Sequence, residues 1–272
     1  MKRFILTAPP GPGGIIRLYD RDFHYLSRVR RLGPGSCFDA ILPGGEETQI
    51  RVLSTVDNIL IGECLGAGNV DAAPETQVPL PPIALFQGLP RGTKMDLIVR
   101  QAAECGVSII VPFTAEYSAA QPKNQAGRPS PHKAGGEKIK RWERIIKEAR
   151  QQSGSATETL VKPLPDFSAL LEYWDILKKE YERPCAVLFH QEPLEKGTFH
   201  GYLGKSPDFV AMAVGPEGGF SPREVSLLME AGFRPLLMGN TILRTETAAL
   251  YGAAAIRIIL LESESWMPRM TE

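Results

Sequence analysis

The segment FVAMAVGPEGGFSPRE (residues 209–224) gives the clearest indication of the fold. Its first six residues are apolar and predict a buried strand, which runs into a glycine-rich turn. Ser221 then suits a helix N-cap, Pro222 suits the first helical position, and Glu224 completes a capping box. A buried strand, a tight turn and a capped helix form one repeating unit of an α/β fold.

The same alternation continues on both sides of this segment, from residue 82 onward. Apolar runs predict six strands, at residues 83–87, 108–112, 160–163, 186–190, 209–214 and 235–238. Stretches with helical periodicity predict five helices, at residues 95–105, 137–152, 167–181, 222–231 and 246–261. We therefore expect an α/β domain with a parallel sheet over residues 82–272.

The first part of the chain has a different pattern. Short apolar segments separated by Gly, Pro and Asn turns predict a small β domain over residues 1–70, with strands at residues 14–18, 36–42, 49–55 and 59–63. Residues 22–30 suit one short helix. Residues 71–81 are rich in small residues and proline and are the best linker, whereas residues 119–136 predict a mobile basic loop.

The net charge is zero, because 31 basic residues balance 31 acidic ones, but the charges are unevenly placed. Residues 1–31 contain seven Lys and Arg against two Asp, and residues 121–150 contain nine against three Glu. Solvated faces are the commoner explanation of such runs. A polyanion responds to local potential, however, so both runs are also compatible with nucleic-acid binding.

The cysteines give no sign of a metal cluster or a disulfide framework. Cys37, Cys64, Cys105 and Cys185 are widely spaced and form no Cys-x-x-Cys pair, which favours a reducing cytoplasm. The apolar run at the N-terminus is too short for a signal peptide, and no later run reaches membrane-spanning length. We expect a soluble cytoplasmic protein without a metal or a membrane partner.

The glycine turn at residues 215–219 suits close approach of a ligand to the backbone, and Glu217 adds an acceptor or a charge. A tight strand-to-helix turn explains it equally well. The spacing matches neither G-x-G-x-x-G nor a P-loop, since no Lys-Ser/Thr follows, so a dinucleotide or an anion-cradling phosphate cofactor loses support.

A second loop, MGNTILRTETAA (residues 238–249), also follows an apolar strand. Arg244 offers a planar fork of donors to a phosphate, a carboxylate or a developing oxyanion, or forms a structural salt bridge. Thr245 suits a cap of the last helix, and Glu246 suits a pair with Arg244 or the helix N-terminus. Gly252 and nearby alanines suit close packing against another backbone. Two loops at one sheet end favour a shared pocket.

Together, GPEGG at 215–219 and GNTILRTETA at 239–248 resemble the signature of the bacterial 16S rRNA (uracil-N3)-methyltransferases, a family of the knotted SPOUT superfamily. The resemblance extends over essentially the whole chain, with further matches at LPRGTKMD (89–96), AECGV (103–107) and RWERI (141–145). Residues around His24 and 29–35 resemble the PUA-like RNA-binding domain of the family. Three residues depart from the pattern: Ser155 replaces an Arg, Thr159 a Pro and Cys105 a Leu.

The resemblance implies a trefoil-knotted SPOUT methyltransferase domain after a small PUA-like β-barrel, and a homodimer. It also implies that S-adenosyl-L-methionine binds in the knot between three loops. In this chain those loops provide the expected cofactor-binding residues Phe189, His190, Gly215, Glu217, Gly218, Gly219, Met238, Gly239, Ile242 and Leu243. His190 equally suits an ordinary strand-end position.

The implied reaction is methylation of N3 of a uridine in 16S rRNA, either free or in the small ribosomal subunit. Arg244 is the expected catalytic residue, stabilising the anion that forms when uracil N3 loses its proton. Glu246 is the second expected catalytic residue, as a base, and Glu217 is an alternative, although capping or salt bridging suits both. Arg28, Arg30, Arg31 and Lys94 are the expected RNA-binding residues, since phosphate contacts position RNA without reading its sequence.

Other functions remain open on the sequence. A knotted protein without activity would bind RNA or assist ribosome assembly. A methyltransferase of the same fold would act on another RNA target. Binding of S-adenosylmethionine separates the inactive protein from the enzymes, and analysis of the methylated nucleoside separates the targets.

Overall fold

The computed structural model describes residues 3–65, 80–118, 131–192, 194, 197–204 and 206–265, without the side chains of 131–135 and 263–265. The chain divides into two compact units. The N-terminal unit comprises Met1–Thr76 and Arg150–Ala156, and the C-terminal unit comprises Gln77–Ala149 and Thr157–Glu272. Most of the predicted linker, residues 71–79, lies outside the described residues.

The N-terminal unit is built on a five-stranded sheet with the order β1-β3-β4-β5-β2. Its strands are β1 Phe4–Ile5, β2 Ile15–Leu18, β3 Cys37–Ile41, β4 Glu47–Val56 and β5 Ile59–Cys64. A 3-10 turn, Pro12–Gly14, precedes β2. The four predicted strands are confirmed, and β1 is an addition that a two-residue strand gives little periodicity to predict. Alternate apolar side chains form one core that includes Phe4, Phe38 and Ile50.

The helix predicted at residues 22–30 is wrong in its start and its form. Helix α1, Asp20–Phe23, begins two residues earlier and continues as a π-helix, His24–Val29. Phe23 of α1 and Leu26 of the π-helix lie in the core of the N-terminal unit. The predicted RNA-binding residues Arg28 and Arg31 are exposed at the end of this segment, and Arg30 between them is half-buried.

The C-terminal unit contains a six-stranded sheet with the order β11-β9-β10-β6-β7-β8, and all its pairings are parallel. Its strands are β6 Ile83–Gly88, β7 Ile109–Phe113, β8 Leu160–Val161, β9 Pro184–His190, β10 Phe209–Val214 and β11 Arg234–Leu237. All six predicted strands are confirmed within about two residues. Strand β10 enters between β9 and β6, so the order along the sheet reverses there, which is where open α/β sheets bind ligands.

Helices cover both faces of this sheet. They are α2 Lys94–Glu104, α3 Pro131–Ser153, α4 Phe167–Glu180, α5 Phe199–Leu203, α6 Pro222–Glu230 and α7 Thr245–Ser265. Apolar residues of α2, α3, α5 and α7 join one core, and those of α4 and α6 join the other. In β6, Leu85 faces the first core and Phe86 the second, as the two-residue period of a strand requires.

Two predictions for the C-terminal unit need correction. The basic loop predicted at residues 119–136 lies outside the described residues up to 130, but Pro131–Ser153 is helix, with a proline suited to its first turn. The short helix α5 was not predicted, because five residues are too few to show a helical period. None of the helices in the described ranges is long and apolar enough to cross a membrane.

The structure explains one of the three residues that depart from the family pattern and gives the surroundings of the other two. Thr159 is buried, and its hydroxyl donates to the carbonyl of Val107 at 2.8 Å, a bond that proline cannot make. Cys105 packs against the apolar core beside α2, and burial raises the pKa of its thiol. At Ser155 the backbone N–H donates to the Ser153 hydroxyl at 3.2 Å in an exposed turn.

Candidate functional site

A cavity of about 440 Å³ opens where β9, β10 and β11 end. Because these strands are parallel, their carboxyl ends meet at one edge of the sheet. The two loops follow β10 and β11, which are successive strands of the chain, although β9 lies between them in the sheet. The cavity contains all ten expected cofactor residues together with Arg244 and Lys94, and the rest of its lining is Gln191, Val214, Pro216, Phe220, Leu237, Thr241, Thr245 and Ala248.

Residues 215–219, the GPEGG loop, are held by a buried carboxylate. The predicted capping box is confirmed: Ser221 Oγ accepts from Glu224 N, and Glu224 Oε2 accepts from Ser221 N at 2.9 Å. The other oxygen of Glu224 accepts from the backbone N–H of Glu116 at 2.8 Å. One carboxylate therefore joins the start of α6 to the loop that follows β7.

Glycines let the GPEGG loop fold tightly on itself and on β6. A Cβ on Gly215 would lie 2.8 Å from the carbonyl carbon of Gly219, and a Cβ on Gly88 would lie 2.6 Å from Pro216 Cδ. Gly219 differs, because its φ is +72° and the space beside its Cα is open. The loop is thus packed on one side and presents bare backbone on the other.

A charged clamp joins the GPEGG loop to the start of α2. Glu217 accepts from the backbone N–H of Arg91 through both oxygens, at 3.1 and 3.2 Å, and from Lys94 Nζ at 2.8 Å. Partial burial raises the pKa of Glu217, but the hydrogen bonds from Lys94 and Arg91 outweigh it, and the pKa is lowered. The hydrogen bond to Glu217 raises the pKa of Lys94.

Residues 238–244, the Arg244 loop, form the more exposed wall of the cavity. Arg244 is exposed, and among the described residues its guanidinium has neither a hydrogen bond nor an ion pair. The predicted pair with Glu246 is therefore wrong. Glu246 Oε2 lies 3.6 Å from Lys94 Nζ instead, and Glu246 is not among the residues that line the cavity.

Two further predictions about this wall are corrected by the contacts of α7. The Thr245 hydroxyl does not cap the helix but donates to the carbonyl of Gly215 at 2.6 Å. Gly252 packs against a side chain rather than a backbone, because a Cβ there would overlap the ring of Phe189. Phe189 lines the cavity, so Gly252 supports the site from behind.

His190 lies at the end of β9, and its ring is tied locally. The backbone N–H of Glu192 donates to His190 Nδ1 at 3.1 Å. Within the described residues, no group of three or more His, Cys, Asp or Glu is placed to hold a metal ion.

Comparison with known proteins now identifies the family. Residues 76–257 match the model of the RNA methyltransferase domain family. The chain belongs to this family. It is also 32% identical to the ribosomal RNA small subunit methyltransferase E of Aquifex aeolicus, over 65% of this chain and 68% of the relative. The enzyme of the same name from Synechocystis sp. is 29% identical over 90% of this chain and 73% of the relative.

Solved structures of methyltransferases share the fold. The ribosomal RNA small subunit methyltransferase E of Neisseria gonorrhoeae, solved with S-adenosyl methionine, is 25% identical with a TM-score of 0.74, over 95% of this chain and 98% of that one. A methyltransferase of Legionella pneumophila, solved with the same cofactor, has a TM-score of 0.71 at 24% identity.

The residues of this methyltransferase cavity fit S-adenosylmethionine. A volume of about 440 Å³ is within the range of small-molecule pockets. Phe189, Met238 and Leu243 offer apolar surface to an adenine ring, and bare glycine backbone offers hydrogen-bonding groups. Lys94, Arg244 and Glu217 bring both signs of charge to the cavity, as an amino-acid group with a carboxylate and an ammonium requires.

Sequence reasoning missed Gln87 as a member of the site. It belongs to an otherwise apolar strand and is fully buried, but its amide donates to Thr245 Oγ1 at 2.9 Å. The sequence feature that could have revealed Gln87 is a single amide in the otherwise apolar segment IALFQG (residues 83–88). A polar side chain buried in such a strand requires hydrogen-bond partners.

Proposed function

We propose that this chain is an S-adenosylmethionine-dependent methyltransferase that methylates N3 of a uridine in 16S rRNA of the small ribosomal subunit. The observation that carries the proposal is that one cavity combines a tightly packed glycine loop with Arg244, whose guanidinium has no partner within the described part of the chain. Membership of the RNA methyltransferase domain family, and relatives named for the small-subunit rRNA, support it.

The expected cofactor residues divide into two groups by what they offer. Four of them bind apolar surface of the cofactor: Phe189, Met238, Ile242 and Leu243. The other six supply polar groups or bare backbone: His190, Gly215, Glu217, Gly218, Gly219 and Gly239. Bound S-adenosylmethionine supplies a methyl group on a sulfonium, which needs alignment more than activation. The task of the chain is therefore to hold the uracil in place and to manage its N3 proton.

Arg244 is the residue that stabilises the uracil anion. Loss of the N3 proton spreads negative charge over N3 and the two neighbouring carbonyl oxygens. A guanidinium without another partner among the described residues can place two N–H donors toward that charge. An arginine already paired with a carboxylate would have to break that pair first.

Glu246 is a better base than Glu217 on the contacts that each carboxylate makes. Both oxygens of Glu217 accept hydrogen bonds from Arg91 and Lys94. Glu246 Oε2 is buried and accepts no hydrogen bond from the described residues, although Lys94 Nζ lies 3.6 Å from it. Its side chain is 14% exposed, so the proton reaches it through a water molecule or a side-chain rotation.

Each unit contributes basic residues that we assign to RNA binding. We assign phosphate contacts to Arg28, Arg30 and Arg31, and a place beside the target base to Lys94, whose ammonium already faces Glu217 and Glu246. The target uridine must leave its stack to enter the cavity. Weaker binding of 16S rRNA by an Arg28→Ala/Arg31→Ala variant, with unchanged cofactor affinity, tests the first assignment.

We further assign residues 1–70 to a PUA-like RNA-binding barrel, 71–81 to a linker and 82–272 to a SPOUT domain with a C-terminal trefoil knot. The knot is supported by Thr245, which follows the edge strand β11 yet bonds to Gly215 after the central strand β10. The chain therefore returns across the sheet edge after β11. A crystal structure with continuous density over residues 184–265 tests this path.

A homodimer is the proposed assembly. Tyr251 and Ile258 lie seven residues apart on α7, hence on one face, and each is 55% exposed. Large apolar side chains that share an exposed helix face suit a partner with the same face. Light scattering on the wild type and on a Tyr251→Asp/Ile258→Asp variant tests it, with a monomeric wild type as the contradicting result. We also propose a cytoplasmic location, because the proposed substrate is rRNA.

The test of the function uses small subunits and free 16S rRNA from a strain that lacks the corresponding gene. We expect the purified protein with S-adenosylmethionine to form 3-methyluridine, identified by mass spectrometry of the digested RNA. Methylation of another nucleoside or another RNA would change the target. No methyl transfer and no cofactor binding in calorimetry would leave an inactive RNA-binding protein.

A further inference from the structure

A buried relay of hydrogen bonds connects three segments of the C-terminal unit. The Thr245 hydroxyl donates to the Gly215 carbonyl at 2.6 Å and accepts from Gln87 Nε2 at 2.9 Å. Gln87 Nε2 also donates to the carbonyl of Gly88 at 2.9 Å. A hydroxyl has one proton, so donation to Gly215 fixes the direction of the relay from Gln87 through Thr245.

The relay lies between the two walls of the cavity. Gln87 pairs in register with Val214, the last residue of β10, and Gly215 opens the GPEGG loop. Thr245 follows Arg244 directly and is the first residue of α7. The hydroxyl of Thr245 therefore sets the distance between the loop that carries the glycines and the backbone that carries Arg244.

Stability alone does not explain Gln87. Its side chain is fully buried, and its Oε1 has no hydrogen-bond partner among the described residues. An unsatisfied buried acceptor destabilises a fold, whereas a leucine of similar size would bury apolar surface at the same place. A buried polar network does, however, select one geometry over its near alternatives.

We propose that Thr245 and Gln87 are positioning residues, which hold Arg244 at a fixed spacing from the GPEGG loop. The proposal rests on the proposed methyl transfer, because that reaction needs the methyl donor and the anion-stabilising group in register. It also commits the Gly215 carbonyl to Thr245, so the cofactor contacts of this loop come from its other backbone groups.

The experiment compares Thr245→Val with Thr159→Val. Both changes delete a buried hydroxyl that donates to a backbone carbonyl, at 2.6 Å and 2.8 Å, but Thr159 bonds to Val107, away from the cavity. The readouts are Tm, cofactor Kd by calorimetry, kcat at saturating rRNA, and hydrogen exchange of residues 215–220. Thr245→Ser, which keeps the hydroxyl, is the rescue.

We expect Thr245→Val to lower kcat roughly 100-fold, as misplacement by about 1 Å can do. Amide exchange of the GPEGG loop should accelerate as well. Thr159→Val should lower Tm by a comparable amount but keep the kcat and the loop exchange of the wild type. Thr245→Ser should restore kcat to within about threefold of wild type, because the hydroxyl that donates to Gly215 is retained.

The results separate this inference from the function on which it rests. A wild-type protein that transfers no methyl group contradicts the proposed function. In that case the loop exchange and the cofactor Kd of Thr245→Val and Thr159→Val still show whether the relay positions the GPEGG loop. An active wild type with the same kcat and loop exchange in Thr245→Val as in Thr159→Val overturns the inference. If Thr245→Val does not fold, Gln87→Met, which removes the donor and keeps the length, is read by the same measurements.

Discussion

The two loops that build the cavity differ in how firmly the rest of the molecule holds them. The GPEGG loop is fixed by Glu224, by the Lys94–Glu217 clamp, by Thr245 and by tight packing on Gly88. Within the described residues, the side chains of the Arg244 loop make no hydrogen bond or ion pair, and Ile242 is 82% exposed. Both loops nevertheless line the same cavity.

This difference suggests a division of labour between the loops. A cofactor used in every turnover is bound best by a wall that needs no rearrangement, because preorganisation avoids the entropic cost of ordering a loop. A large RNA must enter and leave, so the wall that meets it needs exposed groups. Mutations that loosen the GPEGG loop should therefore affect cofactor affinity, and removal of Arg244 from the open wall should affect turnover.

The largest expected effect is on the open wall. Arg244→Ala should lower kcat by roughly 100- to 1,000-fold, the loss typical of removing a donor to a developing oxyanion. Since Arg244 has no partner to lose among the described residues, Tm and cofactor Kd should stay near those of the wild type. Single-turnover methylation and calorimetry measure both. An Arg244→Ala variant that stays active, or one that binds the cofactor much more weakly, would contradict the division of labour between the two loops.

The next effect comes from Gly252, which lies behind Phe189 of the cavity. Gly252→Ala forces a methyl group into the ring of Phe189, and overpacking of this kind costs about 1–3 kcal/mol. The displaced ring of Phe189 lines the cavity, so we also expect cofactor affinity to fall about tenfold, which corresponds to about 1.4 kcal/mol of binding free energy. Gly136→Ala is the control, because it also lies in a helix but has open space around its Cα. Equal cofactor Kd values in the two variants would contradict the role of Gly252.

A smaller effect concerns pH. The pKa of Glu217 is lowered in the folded protein, so its stabilising contacts are present above its ordinary value of 4.5 and are lost as pH falls through the lowered pKa. Lys94, whose pKa is raised, stays charged throughout this range. The Tm of wild type should exceed that of Glu217→Gln at pH 7, and the difference should shrink as the pH falls below 4.5 and through the lowered pKa. Glu230→Gln, on exposed α6 surface, should show no such dependence. A Tm difference that is constant from pH 7 down to the lowest pH at which the protein stays folded would exclude the carboxylate as its source.

The smallest effect compares one hydroxyl in each wall. Ser221→Ala removes the N-cap of α6 and should destabilise the protein by about 1 kcal/mol. Thr241→Ala removes an exposed hydroxyl without a partner among the described residues and should change stability by less than about 0.5 kcal/mol. Urea denaturation measures both. Equal losses would mean that the Arg244 loop is held more firmly than its contacts indicate.

Periodicity and capping predict most of the C-terminal unit because both act over a few residues. The six strands, the five longer helices and the Ser221–Glu224 capping box follow from such local signals. The order of the strands does not, since the placement of β9 between β10 and β11 is decided by packing between distant segments.

The candidate site divides in the same way. The glycines and Arg244 can be found from the sequence, because a glycine-rich turn and an arginine that follows a strand are both local features. The contact of Lys94 with Glu217 joins residues 123 positions apart, and that of Gln87 with Thr245 joins residues 158 apart. Thr245 looked like a helix cap because the direction of its hydroxyl depends on Gly215, which no local pattern reveals.

The hydrogen bonds that the Glu224 carboxylate accepts from two segments bear on whether the pocket could be transferred to another protein. Its carboxylate holds Ser221 and Glu116 at once, so the GPEGG loop owes its shape partly to the loop after β7. There Tyr117 lies so close to Gly218 that a Cβ on Gly218 would be 2.8 Å from its own. Grafting GPEGG with its helix into another α/β protein would transfer the sequence of the motif but not its conformation. A working transplant needs residues 115–118, Gln87 and Thr245 as well.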